Sequence, residues 1–332
     1  ATWVKTGLMA VYTKIDDAQL SSFLADYPIA PLKEARGIQA GVQNTNYLVA
    51  TQDAKYILTL YEDTETGVEA KDLPFFLGLM QHLAAADIQC PTPILRHDGA
   101  LFGTLAGRPA ALVSFREGRS VSTPQPKHCR AVGAALAQMH VAGEGFELSR
   151  VNGHAFAQWP DLFAQCAPRA DEAVPELSQT IEVELQRIIS QWPHDLPRGI
   201  IHADLFPDNV FFVNDQVSGL IDFYFACEDA YAYDLAIMLN AWCFEADINF
   251  NITKARALMA GYQSVRKLSP AEIQALPILA SGAAMRFLLT RLYDWLHQKP
   301  EALVTPKNPT DYLRRLRFHK NVNSSADYGL ES

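Results

Sequence analysis

The sequence carries few of the features that would place it in a disulfide-stapled, metal-clustered or membrane class. It has 332 residues and only five cysteines, at 90, 129, 166, 227 and 243. The number is odd, the spacing irregular and the neighbours mostly apolar. This pattern supports neither a disulfide framework nor a metal cluster, so the thiols read as buried and reduced, in a cytoplasmic chain. Positive charge is in deficit too: 28 Lys and Arg stand against 37 Asp and Glu, a net charge of −9. That balance argues against nucleic acid or an anionic membrane as the main partner. Long apolar runs are missing. The longest, residues 236–244, is broken by Asn240 and flanked by Asp234 and Glu245, so no membrane-spanning segment is expected. The first residues lack a signal-peptide core. Met9 opens a plausible start, which would make residues 1–8 a vector-derived extension. No internal repeat or low-complexity tract interrupts the chain.

What remains is ordinary globular material, 49% hydrophobic, long enough for two domains or one two-lobed domain. Asp16 caps an amphipathic helix over 16–27, with Leu20, Phe23 and Leu24 on one face. Residues 34–51 read as two strands around a turn with glycines at 37 and 41, and 55–61 as a third strand. A glycine-containing turn of this kind can lie over nucleotide phosphates through its backbone N–H groups, so Gly37, Gly41, Asn44 and Asn46 are candidate nucleotide contacts. A helix is expected over 66–87, then short strands at 94–96, 100–105 and 109–115. The composition breaks at FREG (115–118), which places a hinge at 113–118, where backbone groups of Ser114 and Phe115 could meet an adenine. From residue 124 the pattern is helical: 129–141, 175–192, 233–244, 252–265, 270–279, 283–297 and 309–320. His140 reads as a packed core histidine and the basic run 314–320 as a solvated face. The fold class is α+β, with a β-rich lobe over 1–115 and a mainly helical lobe over 116–332.

The centre of the chain is GIIHADLFPDNVFFVNDQVSGLIDFYFAC, residues 199–227. An apolar strand delivers a polar turn with His202, Asp204 and Asn209. A second strand and a turn at 214–216 follow, and a third strand carries out Asp222. The order H-x-D-x-x-x-x-N, then a strand-borne Asp, is the core pattern of kinase-type phosphoryl transfer. A hydroxyl attacking a γ-phosphate needs a carboxylate to orient it and accept its proton, and Asp204 is placed for that. Mg²⁺ takes hard oxygens and leaves its other positions to phosphates and water; Asn209 and Asp222 can supply two. Pro207 rules out a continuous helix, so Asp204 and Asn209 sit on a loop. Thr59 stands where a kinase normally places its phosphate-binding lysine, and neither Lys55 nor Lys71 is at that point of the strand.

These residues, with YDLA at 233–236, resemble the aminoglycoside phosphotransferase and choline kinase group of small-molecule kinases. Further blocks, QAGVQNTNYLV, YILTLYE, LPFFLGLMQHL, IHADLFPDNVFF, GLIDFY, YDLAIMLNAWC and AAMRFLLTRLYDW, resemble the homoserine kinases within it. The resemblance spans nearly the whole chain after Met9. It implies a protein-kinase-like, two-lobed fold with ATP between the lobes. It also implies Asp204 as base, and Asn209 and Asp222 as Mg²⁺ ligands. Thr59 in place of lysine is then a trait of the subgroup.

The implied acceptor is homoserine, a step of threonine biosynthesis. A zwitterion needs a cation for its carboxylate and an acid or carbonyl for its ammonium. Arg286 and Arg291, on one helix, are the candidate carboxylate partners, Arg286 the better of the two because Gly282, Ala283 and Ala284 before it would let the helix approach the cleft. Asp229 or Glu228 would face the ammonium, with Tyr224 beside them. A choline, ethanolamine or aminoglycoside kinase is the alternative, with Tyr224, Phe225, Tyr231, Tyr233 and Trp242 as an aromatic cage. A nucleotide-binding pseudokinase is a third reading, motivated by the absent lysine alone. The sequence leaves the oligomeric state open.

Overall fold

The computed structural model describes residues 13–38, 44–62, 68–298 and 307–330. The chain divides into two compact units, with the boundary between Glu117 and Gly118. In the first, the Asp16 carboxylate accepts the Gln19 N–H while the Gln19 side chain accepts the Asp16 N–H, a capping box that starts α1 (Asp17–Leu24). An antiparallel sheet follows, built of β1 (Leu32–Ile38), β2 (Thr45–Thr51), β3 (Lys55–Leu60), β4 (Gly103–Leu105) and β5 (Arg108–Ser114). Its spatial order is β1-β2-β3-β5-β4. In β2 every second residue is buried, the period of a strand with one face on a core. That face, with Leu58, Leu60 and Leu112, packs with Leu20, Phe23, Leu24 and Tyr27. Helix α2 (Leu73–Ala85) joins β3 to β4 in the chain and buries Phe75, Phe76, Leu79, Met80 and Leu83.

The second unit begins with α3 (Pro126–Ala142), α4 (Trp159–Cys166) and α5 (Leu177–Ser190). Four short strands follow: β6 (Arg198–Ile201), β7 (Val210–Val213), β8 (Gln216–Leu220) and β9 (Cys227–Ala230). They pair as two antiparallel ribbons, β6 with β9 and β7 with β8. The β7–β8 turn is Asn214-Asp215, both at positive φ (50° and 63°), as a two-residue hairpin of matching twist requires. Helices α6 (Tyr231–Trp242), α7 (Ile252–Gln263), α8 (Pro270–Leu296) and α9 (Thr310–Lys320) complete it. Small residues set one crossing. A Cβ on Gly133 would lie 2.2 Å from the Leu258 carbonyl and one on Gly261 2.0 Å from that of Arg130, so α3 and α7 meet backbone to backbone.

Several elements differ from the sequence expectation. Residues 94–96 form no strand; Pro93 makes a single bridge to Val113. Helices expected at 270–279 and 283–297 are one 27-residue helix, α8, with Pro277 inside it. Proline costs a helix interior about 3 kcal/mol, and burial of Leu276, Leu279, Leu288, Leu289 and Leu292, at roughly 2 kcal/mol each, exceeds that. By length and composition α8 could cross a membrane, contrary to the expectation from run lengths, but its most apolar window is mostly buried inside the protein. α4 and β9 were not expected at all. All five cysteines are free and buried.

Candidate active site

The catalytic turn is held from behind by a single carboxylate. Asp234, fully buried on α6, accepts the N–H of His202 at 2.7 Å and that of Ala203 at 2.9 Å. It also accepts Nε2–H of His140 at 3.0 Å, and His140 Nδ1 lies 2.8 Å from the Tyr262 hydroxyl. Burial alone would raise the Asp234 carboxyl, but the hydrogen bonds from His140 and the His202 N–H hold it below its ordinary value. Burial pushes both histidines down, so each is neutral. His202 accepts the Asp204 N–H on Nδ1 (3.3 Å), which makes Nε2 the donor to the Ile221 carbonyl at 3.0 Å.

The carbonyls of the turn are held as firmly. Arg286 Nη1 donates to Ala203 at 2.8 Å, Asn209 Nδ2 to Asp204 at 2.8 Å and Trp242 Nε1 to Leu205 at 2.7 Å. Ala203 can then keep a φ of 62°, a strained value for alanine that aims Asp204. The single helical turn Pro207–Asn209 places Asn209 next. Its carbonyl accepts the Ile221 N–H at 3.0 Å, which fastens the Asp222 segment to the turn.

On the open face, Asn209 Nδ2 also reaches the Asp204 carboxylate at 3.2 Å. The amide nitrogen faces Asp204, so Oδ1 points the opposite way. Asp222 follows β8 at a φ of 64° and accepts the Tyr224 N–H. Its side chain reaches solvent, yet the surrounding protein pushes its carboxyl up to about 6. Asp204 is pushed up to about 7, by burial first and then by the charge of Asp222, against the pull of Arg286 and Lys307. Two carboxyls that resist ionisation beside an outward amide oxygen suit a hard cation. Among the described residues no group of three or more His, Cys, Asp or Glu gathers as a metal cage. Mg²⁺ bound by one carboxylate and one amide, with phosphates and water completing its shell, needs none.

The other candidates divide. Arg286 is 3% exposed and lies 4.6 Å above the Phe287 ring, spent in part on the turn. Arg291 is on the same helix, 4.4 Å above the Tyr312 ring. Asp229 pairs with Gly199, five residues before Asp204, and binds Asn152 at 2.7 Å and its neighbouring N–H at 2.8 Å. Glu228 is exposed and takes the Ser149 hydroxyl. Tyr231, Tyr233 and Trp242 are core residues, so no aromatic cage forms from them.

In the first unit Gly37 pairs with Tyr47, and Gly41 lies outside the described residues. The Thr59 hydroxyl donates to Asn46 Oδ1 at 2.7 Å across β2 and β3, and Asn44 Oδ1 accepts the Glu62 N–H at 3.3 Å. The Ser114 and Phe115 N–H groups donate to the carbonyls of Thr92 and Lys55. The Lys55–Glu117 pair there is more than half exposed on both sides and contributes under about 1 kcal/mol. Sequence reasoning gave no role to Asp234, Lys307 or Tyr312, and gave Trp242 only a place in the alternative aromatic cage. Asp234 alone had a signal, a carboxylate in an otherwise apolar helix, which must find partners when buried.

Comparison with known proteins adds relatives. Residues 34–268 match the model of the phosphotransferase enzyme family, APH. A homoserine kinase of Parvibaculum lavamentivorans is 57% identical over 324 residues, covering 98% of this chain and all of the relative. Among solved structures, an amicoumacin kinase bound to AMP-PNP and Ca²⁺ superposes with a TM-score of 0.69 at 14% identity, covering 94% of this chain and 95% of that one. A microcompartment-associated aminopropanol kinase gives 0.68 at 18% identity, covering 95% and 99%. These structures share the protein-kinase-like fold.

Proposed function

The chain belongs to the phosphotransferase enzyme family, and from that membership we propose that it transfers the γ-phosphoryl group of ATP to the hydroxyl of L-homoserine. The product is O-phospho-L-homoserine, on the route to threonine, in the cytoplasm. The observation that carries the acceptor is the 57% identity, end to end, to a homoserine kinase. The reaction type has separate support in the Asp204, Asn209 and Asp222 arrangement.

In this reading the first unit binds the nucleotide, and Thr59, Asn44 and Asn46 replace the usual lysine with a hydrogen-bonded cluster. The second unit does the chemistry. Asn209 Nδ2 fixes one oxygen of the Asp204 carboxylate. The other oxygen orients the acceptor hydroxyl and takes its proton as the oxygen–phosphorus bond forms and ADP leaves. Asn209 Oδ1 and Asp222 would hold Mg²⁺, which when bound neutralises charge on the phosphate oxygens. The αL strain at Ala203 and Asp222 is spent on preorganisation, since both groups are aimed before substrate arrives. A guanidinium of α8 supplies the cationic partner for the acceptor carboxylate, and Asp229 with Tyr224 the polar side for its ammonium.

The test is ADP release with ATP and Mg²⁺ across L-homoserine, choline, ethanolamine and kanamycin. Homoserine should give the highest kcat/KM by at least tenfold, roughly 1.4 kcal/mol. A preference for choline or kanamycin would overturn the acceptor. A folded, nucleotide-binding protein that turns over none of them would be the pseudokinase instead.

A further inference from the structure

Arg291 is a half-buried guanidinium that forms no ion pair among the described residues. It leans on the Tyr312 ring of α9, with its central carbon 4.4 Å from the ring centre. Arg315 lies 4.8 Å from the same ring, but its donors go to the carbonyls of Asn240 at 3.0 Å and Asp311 at 3.2 Å. Tyr312 itself is 1% exposed, and its hydroxyl has no hydrogen-bond partner. A buried polar group left unmade costs about 1–3 kcal/mol, so the position is maintained at a loss unless a ligand completes it.

A row of rings ties this position to the catalytic turn. Tyr312 lies 5.2 Å from Phe287, and Phe287 lies 5.0 Å edge-on from Phe206, two residues beyond Asp204. The negative charge of Asp204 is felt at both Arg291 and Tyr312, and burial holds Arg291 below its ordinary value. Arg286 differs, because it has already given Nη1 to the Ala203 carbonyl. A cation without a counterion and an orphan hydroxyl donor thus connect through a row of ring contacts to the turn that carries Asp204. Homoserine carries its hydroxyl and carboxylate at opposite ends of a short carbon chain.

We propose that Arg291, propped on Tyr312, receives the carboxylate of the acceptor, with the Tyr312 hydroxyl as second donor. The pair thereby selects an amino-acid alcohol over amino alcohols that lack the carboxylate. Arg286 is by contrast a positioning residue for the turn. This rests on the homoserine reading and identifies the residues that read the substrate.

The discriminating probe is 3-aminopropan-1-ol, which is homoserine without its carboxylate. Its turnover is measured at high concentration and its Kd by calorimetry, beside those of L-homoserine. Arg291→Gln should lower kcat/KM for homoserine by roughly tenfold to a hundredfold through KM, and leave the amino alcohol and the ATP KM unchanged. Tyr312→Phe should lose several-fold, again on homoserine alone. If Arg291→Gln does not fold, Arg291→Lys keeps the charge without the planar fork and should show the same selective loss. Equal losses on both acceptors, no loss on either, or a loss confined to the ATP KM would overturn the assignment. If the wild type phosphorylates homoserine and the variants do not discriminate, only this inference falls. If the wild type does not use homoserine, the broader reading falls with it.

Discussion

The two faces of the catalytic turn treat carboxylates in opposite ways. Behind it, Asp234 is fully buried and yet held below its ordinary pKa, because two backbone N–H groups and His140 satisfy it. In front, Asp204 and Asp222 are pushed up to about 7 and about 6, with a single amide contact and a single backbone contact between them. Burial raises all three. The number of donors decides where each ends. The rear carboxylate stabilises the fold, while the front pair is a deficit that a cation and a substrate would offset.

That contrast breaks most sharply at Asp204. Asp204→Asn should lower kcat by several orders of magnitude, since the proposed proton acceptor is lost, while the protein stays folded. It should also raise Tm by a few degrees at pH 8. The folded-state pKa of Asp204 is raised, so its ionised form weakens the fold above about 7, and removing the charge relieves that. The advantage should close as pH falls through 7 towards the unfolded value of 3.8. Steady-state kinetics and calorimetric melts across pH check both halves, and near-normal turnover would sink the role.

The rear face should respond in the other sense. Asp234→Ala leaves two N–H groups and His140 without their acceptor, and loss of one partner from such a buried charged network costs about 3–5 kcal/mol. Tm should drop steeply, and kcat should fall with it in whatever fraction remains folded. Chemical denaturation gives the figure, and a loss below about 1 kcal/mol would show that the network does not hold the turn.

The smallest expected effect is a displacement of the pH profile. On the proposed role Asp204 must be ionised to act, so kcat/KM should fall as pH drops through about 7 at limiting Mg²⁺. Raising Mg²⁺ should move that limb to lower pH, because a cation at Asp222 and Asn209 favours the charged forms. Stability follows the rear face instead. The folded-state pKa values of His140 and His202 are lowered, so the unfolded chain takes up protons first and the fold weakens below about 6.5. An acid limb indifferent to Mg²⁺ would separate Asp204 from the metal ligands.

The turn was legible in the sequence because its chemistry is local. Asp204, Asn209 and Asp222 lie within one stretch, and the structure brings them together as the strand pattern implied. Their supports were not legible, since Asp234, Trp242 and Arg286 arrive from helices tens of residues away and no local pattern states which carbonyl a side chain will meet. The small residues around Gly282 and Pro277 read as a helix break because propensity argues for one. Packing prevailed, with Gly282 set so closely under Trp192 that a Cβ would stand 2.2 Å from the indole. Arg286 was expected near the reacting groups on the strength of those small neighbours. It does come near, but it binds the backbone of the turn.

The five cysteines give the protein an internal clock. Burial pushes Cys90, Cys129 and Cys227 up to about 12 and Cys166 to about 11, and holds Cys243 well above its ordinary value. Only the thiolate attacks alkylating or disulfide reagents, so in the folded chain these sulfurs are both shielded and protonated, and nearly inert. Cys90 lies in the first unit and the other four in the second. Each thiol becomes reactive only when its own surroundings open. The order in which they label under native conditions would therefore report, residue by residue, which part of the fold breathes first.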